Sequence, residues 1–490
     1  MIPFATFPSN VRVPLVGIEF DTSRLSNGGA VERKALIIGQ RFATGSVAAG
    51  VLTPVPSFEQ GDGLFGRGSM LANMVREFKL TNRYADVYAI ALDEDAAGVK
   101  AIWAVVFTGP ATAAGTLCAL IGGLSVKVAV TKDMTPAQVA TAFAAAVTAL
   151  GVAVAVTAAV DGVTPEKVNL TCRWKGVTGN DIDIRFNYYL GEAFPAGIGA
   201  AVSVTTAGAT NPDLATAIAA FGDERWDTIV SPFTDAANMT LLEAELLSRW
   251  ENLRVKAGLG YTAFRGNHSD TSTFGNTRNS GLISCFPTNI SPDPSWIWAA
   301  VDAAVCDAAL AADPARQCKT LLLPRLKAPA IGDRWDDAER NLHLFDGISS
   351  FTVDSGGNVR IERQVTMYQT NASGVADDAL LDITTPATMI YMAIDLAGYL
   401  SSKYPRHKLA DDGTQFGEGQ PVVTPRILAA EFLMKALEWE ERGIVENVEQ
   451  FKADLVVERD PDNRNRVNAL CPPDLVNNLM QLAILLQPRL

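Results

Sequence analysis

The sequence predicts a multidomain α/β protein, with a doubly wound α/β core, an inserted mostly-β domain and extended strand arms at the N- and C-termini. Three observations predict it. A chain of 490 residues exceeds one ordinary core. Hydrophobic residues make up 48% and charged residues 19%, a composition typical of packed domains. From about residue 208, helix and strand patterns alternate, as they do around a parallel sheet.

Residues 1–30 are predicted to form an N-terminal extended arm. Pro3, Pro8 and Pro14 oppose a helix, and the stretch VRVPLVGIEF alternates as a strand does. Residues 31–97 then form the first part of the α/β core. The predicted order is strand KALIIGQ, helix GSMLANMVREFKLTN and strand ADVYAIAL.

Residues 98–207 are predicted to form an inserted, β-rich domain, because this stretch is rich in Ala, Val, Thr and Gly and poor in charge. TLCALIGGLSVKVAV predicts a hairpin that turns at Gly122 and Gly123. Thr135, Pro136 and Gln138 predict the start of a helix, as cap, first helical residue and partner of the cap. The stretches VAVAVTAAV and KVNLTCRWKG are predicted strands.

Residues 208–330 are predicted to be the main α/β domain. Helix NPDLATAIAAF leads to strand RWDTIVSPF, and a helix opened by a capping box from Thr240 to Glu243 leads to strand GLGYTAFRG. Strand GLISCFPTN and helix SWIWAAVDAAVCDAALAA follow. This alternation predicts a parallel sheet with helices on both faces.

Residues 331–474 are predicted to form a C-terminal domain, and residues 475–490 a C-terminal strand arm. A hairpin is expected around Gly356 and Gly357, and two helices follow, the second capped by Thr424 with Pro425 at its first position. FKADLVVER and RVNALCP are expected to pair. In the last stretch, NNLMQLAILLQPRL, the side chains of Met480, Leu482, Ile484 and Leu486 share one face of an extended strand.

Composition also excludes several function classes. A net charge of −13 and a pI near 4.9, with no run of Lys or Arg, argue against direct nucleic-acid binding. The N-terminus lacks the pattern of a signal peptide, and the apolar stretch at 140–160 is divided by Gly151, so no stable membrane insertion is expected. The six cysteines form no CxxC pair, which indicates buried, reduced thiols.

Candidate chemical motifs are weak, and each has a structural alternative. GLFGRGS at 63–69 resembles a phosphate-binding loop but lacks the Gly-Lys-Ser/Thr ending, so a helix-entry turn is the better interpretation. His268, Ser269 and Asp270 contain the residue types of a catalytic triad without a nucleophile elbow. We interpret them as a polar loop at the end of a strand.

Metal sites have equally weak signals. The three histidines, His268, His343 and His407, have no ligand-like spacing and are interpreted as structural or surface residues. Asp460 and Asp462 mimic the start of a calcium loop, but the required glycine and closing glutamate are missing. Residues 93–95, Asp-Glu-Asp, are interpreted as a solvated strand end. We therefore predict no catalytic residue, no cofactor and no metal.

One stretch resembles a known family. CRWKGVTGNDIDIRFN at 172–187 is expected to form a hairpin, with a strand, a glycine turn and a second strand. Its K-G-x-x-G-N-x-I-x-I pattern resembles the inserted domain of contractile-tail sheath proteins of bacteriophages. PSNVRVPLVGIEFDTSR and LFGRGSMLANMVREF resemble the sheath of Mu-like phages, and the resemblance extends along most of the chain.

The resemblance implies a structural function. Sheath subunits form hexameric rings stacked into a helical sleeve around an inner tail tube, with inserted domains outward and the C-terminal domain facing the tube. Contraction drives the tube through the host envelope for genome ejection. The implied partners are other copies of the chain, the inner tail tube protein, and baseplate and tail terminator proteins. The implied location is the virion, after assembly in the host bacterial cytoplasm.

The resemblance further implies that both arms add strands to neighbouring subunits, by β-augmentation. The expected self-assembly residues are the apolar side chains of the two arms: Val11, Val13, Val16, Ile18, Phe20, Met480, Leu482, Ile484 and Leu486. One expectation lacks support in the sequence. Residues 403–490 contain 11 Lys or Arg against 14 Asp or Glu, so no basic tube-facing surface is visible.

Two alternatives remain open from the sequence. One is another self-assembling phage tail or baseplate protein. The other is a multidomain α/β enzyme, with a site built from the loops at 231–234, 265–270 and 286–289. Such a site would form a deep pocket containing carboxylates of perturbed pKa.

Overall fold

The computed structural model describes residues 33–251 and 256–488. Its first part has the predicted order of strand, helix and strand. The side chain of Ser69 caps the second helix by accepting a hydrogen bond from the backbone N–H of Ala72 at 3.2 Å. The elements are β1 (Lys34–Gln40), β2 (Leu52–Pro54), α1 (Phe58–Phe65), α2 (Met70–Thr81) and β3 (Asp86–Leu92).

The next part contains two antiparallel sheets that share one helix. The elements are β4 (Ile102–Thr108), β5 (Gly115–Ile121), β6 (Leu124–Val130), α3 (Pro136–Ala149), β7 (Val156–Val160), β8 (Lys167–Cys172), β9 (Ile184–Phe186) and β10 (Gly199–Thr206). One sheet has the order β10-β4-β8-β7 and the other β6-β5-β9, and α3 contacts strands of both. The hairpin at Gly122 and Gly123 and the capping box at Thr135 are as predicted.

Two predictions in this part were wrong. The second strand of the GNDIDI stretch does not pair back on β8, because β9 pairs with β5 in the other sheet. A single turn of 3₁₀-helix at Val177–Asp181 redirects the chain between them. The strand expected from residue 152 begins only at Val156, because Gly151–Ala153 also form a 3₁₀ turn.

The third part completes the central sheet. Its elements are α4 (Ala215–Ala220), β11 (Thr228–Val230), α5 (Ala236–Trp250), β12 (Leu259–Phe264), α6 (His268–Gly275), β13 (Ile283–Pro287) and α7 (Ser295–Ala312). The six-stranded sheet has the order β13-β12-β11-β1-β3-β2, parallel throughout except for β2 at one edge. Strand order therefore reverses at β1, as in a doubly wound sheet.

Helices cover both faces of this sheet, and on each face a glycine of a strand lies close to a helix. Leu36 of β1 lies in register with Gly260 of β12 through β11, and a Cβ on Gly260 would lie 2.9 Å from Leu246 of α5. Gly39 is three residues after Leu36, so it faces the other side. There a Cβ would lie 3.2 Å from the Cα of Leu71 in α2.

One predicted helix start was wrong. Helix α5 begins at Ala236, capped by Asp235, whose side chain accepts a hydrogen bond from the N–H of Asn238. Thr240 is inside the helix, and its hydroxyl donates to the carbonyl of Ala236. The serine and threonine residues that favour caps also form such bonds within helices, so the pattern alone misplaced the boundary by one turn. The predicted His268 loop also proved to be the first turn of α6.

The last part forms a second, smaller core. Its elements are α8 (Asp337–Phe345), β14 (Ser350–Val353), β15 (Val359–Arg363), α9 (Thr384–Lys403), β16 (Lys408–Leu409), β17 (Val422–Val423), α10 (Pro425–Glu441), β18 (Val445–Glu446), α11 (Val448–Asp454), β19 (Val456–Arg459), β20 (Val467–Leu470) and β21 (Asp474–Leu475). Buried residues of α9, α10 and α11 form a cluster separate from the main one. The hairpins β14–β15 and β19–β20 pair as predicted.

Among the described residues, α7 is the one helix long and apolar enough to cross a membrane by length and composition. However, 67% of it is buried inside the protein, where it packs on α2 and on β12. This is the arrangement of a core helix, because its apolar surface is already covered by protein.

Candidate assembly surfaces

The carboxyl ends of the parallel strands, where open α/β sheets hold ligands, are filled by side chains. Arg265 directly follows β12, and its guanidinium lies 2.7 Å from a carboxylate oxygen of Asp183. Asp183 belongs to the part that runs from β4 to β10, called the inserted part below. The same carboxylate binds Arg185 at 2.9 Å. The side chains of Asp183 and Arg265 are each 12% exposed. The edge where the enzyme hypothesis required a pocket is therefore occupied by an ion-pair network.

Neighbouring groups close this edge further. Arg265 donates to the backbone carbonyl of Ser291, and Arg185 donates to that of Ile290. The hydroxyl of Ser295 at the start of α7 donates to the buried carboxyl of Asp181, whose pKa is raised to about 6 by burial. These contacts fasten the inserted part to the loop between β13 and α7.

The glycine-rich stretch at 63–69 is a packing site. Gly66 and Gly68 have positive φ angles of 87° and 80°. A Cβ on Gly68 would lie 2.0 Å from the carbonyl oxygen of Val152 in the inserted part. Glycine is therefore required for close contact between chain segments, which accounts for the motif without a phosphate.

Two histidines that are 75 residues apart in sequence form a stacked pair. The rings of His268 and His343 have centroids 4.3 Å apart at 22°, and Trp335 contacts His343 edge-on. Burial lowers the pKa of His343 to about 4. A neutral, buried imidazole packed on aromatic rings is a structural residue, as the sequence predicted.

The acidic residues considered as cation sites form hydrogen bonds and ion pairs within the protein. Asp460 accepts hydrogen bonds from the N–H groups of Asp462 and Asn463, which is a hairpin turn. Asp93 pairs with Arg41 at 2.7 Å. Within 33–251 and 256–488, no three His, Cys, Asp or Glu side chains are grouped so that they could hold a metal ion. The six cysteines are free thiols, five of them buried.

The C-terminal segment, residues 476–488, leaves the protein without joining a sheet. Its first part is held by the subunit itself, because the amide of Asn478 donates to the hydroxyl of Thr384 at 2.8 Å. Met480 is half-buried beside Gln364 and Thr384. Beyond Met480 the segment contacts little, and its apolar side chains are largely exposed: Leu482 74%, Ile484 70%, Leu485 81% and Leu486 84%.

The structure therefore divides the predicted C-terminal arm. Met480 lies against its own subunit, whereas Leu482, Ile484 and Leu486 face solvent. Leu485, which the alternation places on the opposite face, is also exposed, so both faces of the segment are open. The predicted N-terminal self-assembly residues, Val11, Val13, Val16, Ile18 and Phe20, lie outside the described residues.

The two-stranded sheet β19–β20 has an exposed apolar pair. Val456 and Leu470 lie directly opposite each other, and they are 49% and 62% exposed. In the described chain β20 pairs with β19 alone, so its other edge carries unpaired backbone groups. The sheet packs on α10 through β19, and a strand added at the free edge of β20 would extend it.

Helix α10 has an uncovered apolar stripe. Ala430, Met434 and Leu437 recur at spacings of four and three and all are exposed, Met434 at 60% and Leu437 at 44%. The opposite face is buried through Phe432, Ala436 and Trp439. The sequence analysis did not identify this stripe, although the helical spacing of its apolar residues was a signal that could have revealed it.

Known proteins resemble this chain over most of its length. A family model described as phage tail sheath protein central domain matches residues 207–367, and one described as phage tail sheath C-terminal domain matches 375–487. The Mu-like prophage FluMu tail sheath protein of Haemophilus influenzae is 43% identical over 477 residues, 97% of each chain.

Solved structures also match over most of the chain. The sheath tail protein from Desulfitobacterium hafniense is 12% identical with a TM-score of 0.48, covering 94% of this chain and 100% of that one. The sheath tail protein Lin1278 from Listeria innocua is 13% identical with a TM-score of 0.49, covering 91% and 92%.

Proposed function

Since this chain belongs to the phage tail sheath protein family, we propose that it polymerises as stacked hexameric rings around an inner tail tube and contracts to drive that tube through the host envelope during genome ejection. The contraction is mechanical: subunits move as nearly rigid bodies between an extended and a contracted lattice. The ion pairs that fill the carboxyl ends of the sheet support a structural role over an enzymatic one.

The observation that carries this proposal is the exposed apolar C-terminal segment. Four aliphatic side chains between Leu482 and Leu486 are each at least 70% exposed. Exposed apolar stretches of this kind, with free backbone groups, pair with other chains. In the sleeve, residues 481–490 add a strand to a neighbouring subunit, where main-chain hydrogen bonds give affinity and Ile484 and its neighbours set the register.

The edge of β20 is the recipient that fits best. It offers unpaired backbone groups beside the exposed Val456 and Leu470, which would pack against an incoming apolar strand. The N-terminal arm, residues 1–30, reaches a second neighbour through Val11, Val13, Val16, Ile18 and Phe20. Each subunit is then joined to others by two arms.

The other two domains make different contacts in the sleeve. The inserted domain, 98–207, faces outward, and the C-terminal domain, 331–474, faces the inner tail tube protein. The apolar stripe of α10 at Ala430, Met434 and Leu437 supplies a surface for that inner contact. Baseplate and tail terminator proteins bind the two ends of the sleeve. The protein assembles in the host bacterial cytoplasm and becomes part of the phage tail of the virion.

Negative-stain electron microscopy tests the proposal. The full chain is expected to form long hollow sleeves or stacked rings at high concentration. A chain ending at Met480 keeps the contacts of Asn478 and Met480, so we expect a folded subunit that forms no sleeves. Discrete monomers from the full chain would contradict the sheath function, and normal sleeves from the shortened chain would contradict the role of the arm.

A further inference from the structure

Helix α10 carries charges near its two ends in the order that its own dipole opposes. Arg426 is its second residue and Glu441 its last. A helix favours acidic side chains near its N-terminus, which has a partial positive charge, and basic side chains near its C-terminus, which has a partial negative one. Arg442 follows the helix, but its guanidinium donates to the hydroxyl of Tyr391 in α9. The charges of Arg426 and Glu441 therefore do not stabilise the helix that carries them.

Both charges extend the uncovered apolar stripe of α10. Ala430, Met434 and Leu437 form the stripe, Arg426 is four residues before it, and Glu441 is four residues after it. Residues at spacings of three and four share one face of a helix. All five are exposed, so this face presents a cation, three apolar side chains and an anion to solvent.

Neighbouring charged groups leave this order unchanged. At the C-terminal end of the stripe, Glu440 adds a second exposed carboxylate, whereas the carboxylate of Glu438 is paired with Lys435 at 2.6 Å. At the other end, Asp412 accepts a hydrogen bond from the backbone N–H of Arg426 at 3.1 Å. Asp412 is thereby held at the start of the helix, where the dipole favours it, and the side chain of Arg426 stays exposed.

The five positions are symmetric about the middle of the helix. Arg426 and Glu441 lie equally far from the midpoint between residues 433 and 434, and so do Ala430 and Leu437. When two copies of α10 pack antiparallel, Arg426 therefore faces Glu441 of the second copy, and the small Ala430 faces the large Leu437. The two Met434 side chains meet at the centre. Each end charge also lies beside the end of the other helix that has the opposite partial charge.

We propose that the unassembled subunit forms a dimer, in which α10 packs antiparallel on α10 of a second copy about a twofold axis beside Met434. The pairing removes the apolar stripe from water and gives both end charges a partner. A contact of one helix from each subunit is small for a protein interface, so the dimer is weak and separates on dilution. This pairing does not depend on sleeve formation.

The dimer also keeps the stripe covered until assembly. In the proposed sleeve, the stripe of α10 faces the inner tube and the rings stack in one direction. Subunits stacked in this way are related by rotation about the tube and not by a local twofold axis. The dimer must therefore separate before α10 binds the tube, and this step alone rests on the proposed function.

Disulfide trapping in the full chain tests the pairing, because its geometry allows only some pairs of cysteines. Met434→Cys places the two new thiols within about 2 Å of the same height along the helix axes, so oxidation with copper phenanthroline should link them. Ala430→Cys alone should link at least about tenfold more slowly, because its two copies lie about 10 Å apart along the axes. A mixture of Ala430→Cys and Leu437→Cys should link, since these positions face each other. Gel electrophoresis without reductant measures the dimer, at a concentration that gives no sleeves, and the unaltered chain with its native cysteines gives the background.

A charge exchange in the Met434→Cys chain tests the end contacts. Arg426→Glu alone and Glu441→Arg alone should each slow the linking by about fivefold or more, because like charges then meet at both ends of the pair. The two changes together should restore most of the rate, whereas Glu59→Arg, on the exposed surface of α1, should leave it unchanged. Linking of Met434→Cys no faster than that of Ala430→Cys would overturn the pairing. So would a double exchange that links as slowly as either single change.

Discussion

Asp183 of the inserted part and Arg265 at the end of β12 form an ion pair of 2.7 Å, although 82 residues separate them. They meet at the carboxyl ends of the parallel strands, where a related fold with enzymatic function would bind its substrate. In this protein the position joins two parts of one subunit. In the proposed contraction, this ion pair would keep the two parts of the subunit moving together.

Removing the central carboxylate should weaken this joint. Asp183→Ala leaves Arg185 and Arg265 without their shared partner, at a cost of about 3 kcal/mol in the free energy of unfolding. The control is Asp337→Ala, because Asp337 pairs with Arg340 at 2.6 Å while 98% exposed, and such pairs contribute less than about 1 kcal/mol. Urea denaturation measures both, and equal costs would contradict the buried joint.

Asp302 should make stability depend on pH. It is fully buried in α7, accepts a hydrogen bond from Gln364 at 2.8 Å, and burial raises its pKa to about 7. A raised carboxyl pKa favours the protonated folded state, so its stabilising effect is lost as pH rises through 7. The free energy of unfolding of Asp302→Asn, relative to that of the unaltered chain, should therefore rise by on the order of 2 kcal/mol between pH 5 and pH 8. The melting temperatures of Asp302→Asn and of the unaltered chain across this pH range measure the effect. The same pH dependence in both proteins would refute the prediction.

His343 should make stability depend on pH in the opposite direction. Its folded pKa of about 4 lies below the usual histidine value, so the stability it contributes is present above pH 6.5 and lost as pH falls towards 4. His343→Phe should flatten this loss, which is on the order of 3 kcal/mol. His407→Phe is the control, because His407 is exposed. Unfolding free energies at pH 7 and pH 4.5 should separate the two variants.

The C-terminal segment should govern assembly without affecting the subunit. Ile484→Asp places a charge on a side chain that is 70% exposed, so the subunit should lose less than about 0.5 kcal/mol. Assembly should fail, because in the sleeve that charge would be buried unpaired. Gln487→Asp, also on the exposed segment, is the control for charge alone. Sedimentation and electron microscopy measure assembly, and sleeves from Ile484→Asp would show that this face stays in solvent.

Two glycines of the 63–69 stretch should differ sharply in their tolerance of a methyl group. Gly68→Ala should destabilise the protein by about 2 kcal/mol or more, since its positive φ and the carbonyl of Val152 oppose a Cβ. Gly63, inside α1, has open space around it, and Gly63→Ala should stabilise by about 0.5 kcal/mol. Thermal melts compare them directly. Similar effects would mean that the approach of Val152 is not a constraint.

Several elements could be predicted because they depend only on residues that are close together in the sequence. The Gly122–Gly123 turn, the capping box at Thr135 and the cap of α10 at Thr424 all depend on hydrogen bonds within about four residues. The candidate site could be predicted only in part. An apolar C-terminal arm was visible in the alternation of NNLMQLAILLQPRL, but the division at Met480 was not, since it depends on Thr384, 94 residues away from Asn478.

The sequence by itself determined the order of strands and helices, the family resemblance and the apolar character of the C-terminal segment. Tertiary structure alone decided that β9 joins β5, that His268 stacks on His343, and that Asp183 fills the edge of the main sheet. The physical reason is the distance along the chain between the residues that interact. Turns and caps are set by local backbone geometry, whereas strand partners, buried charges and cavities depend on which distant surfaces become adjacent when the whole chain packs.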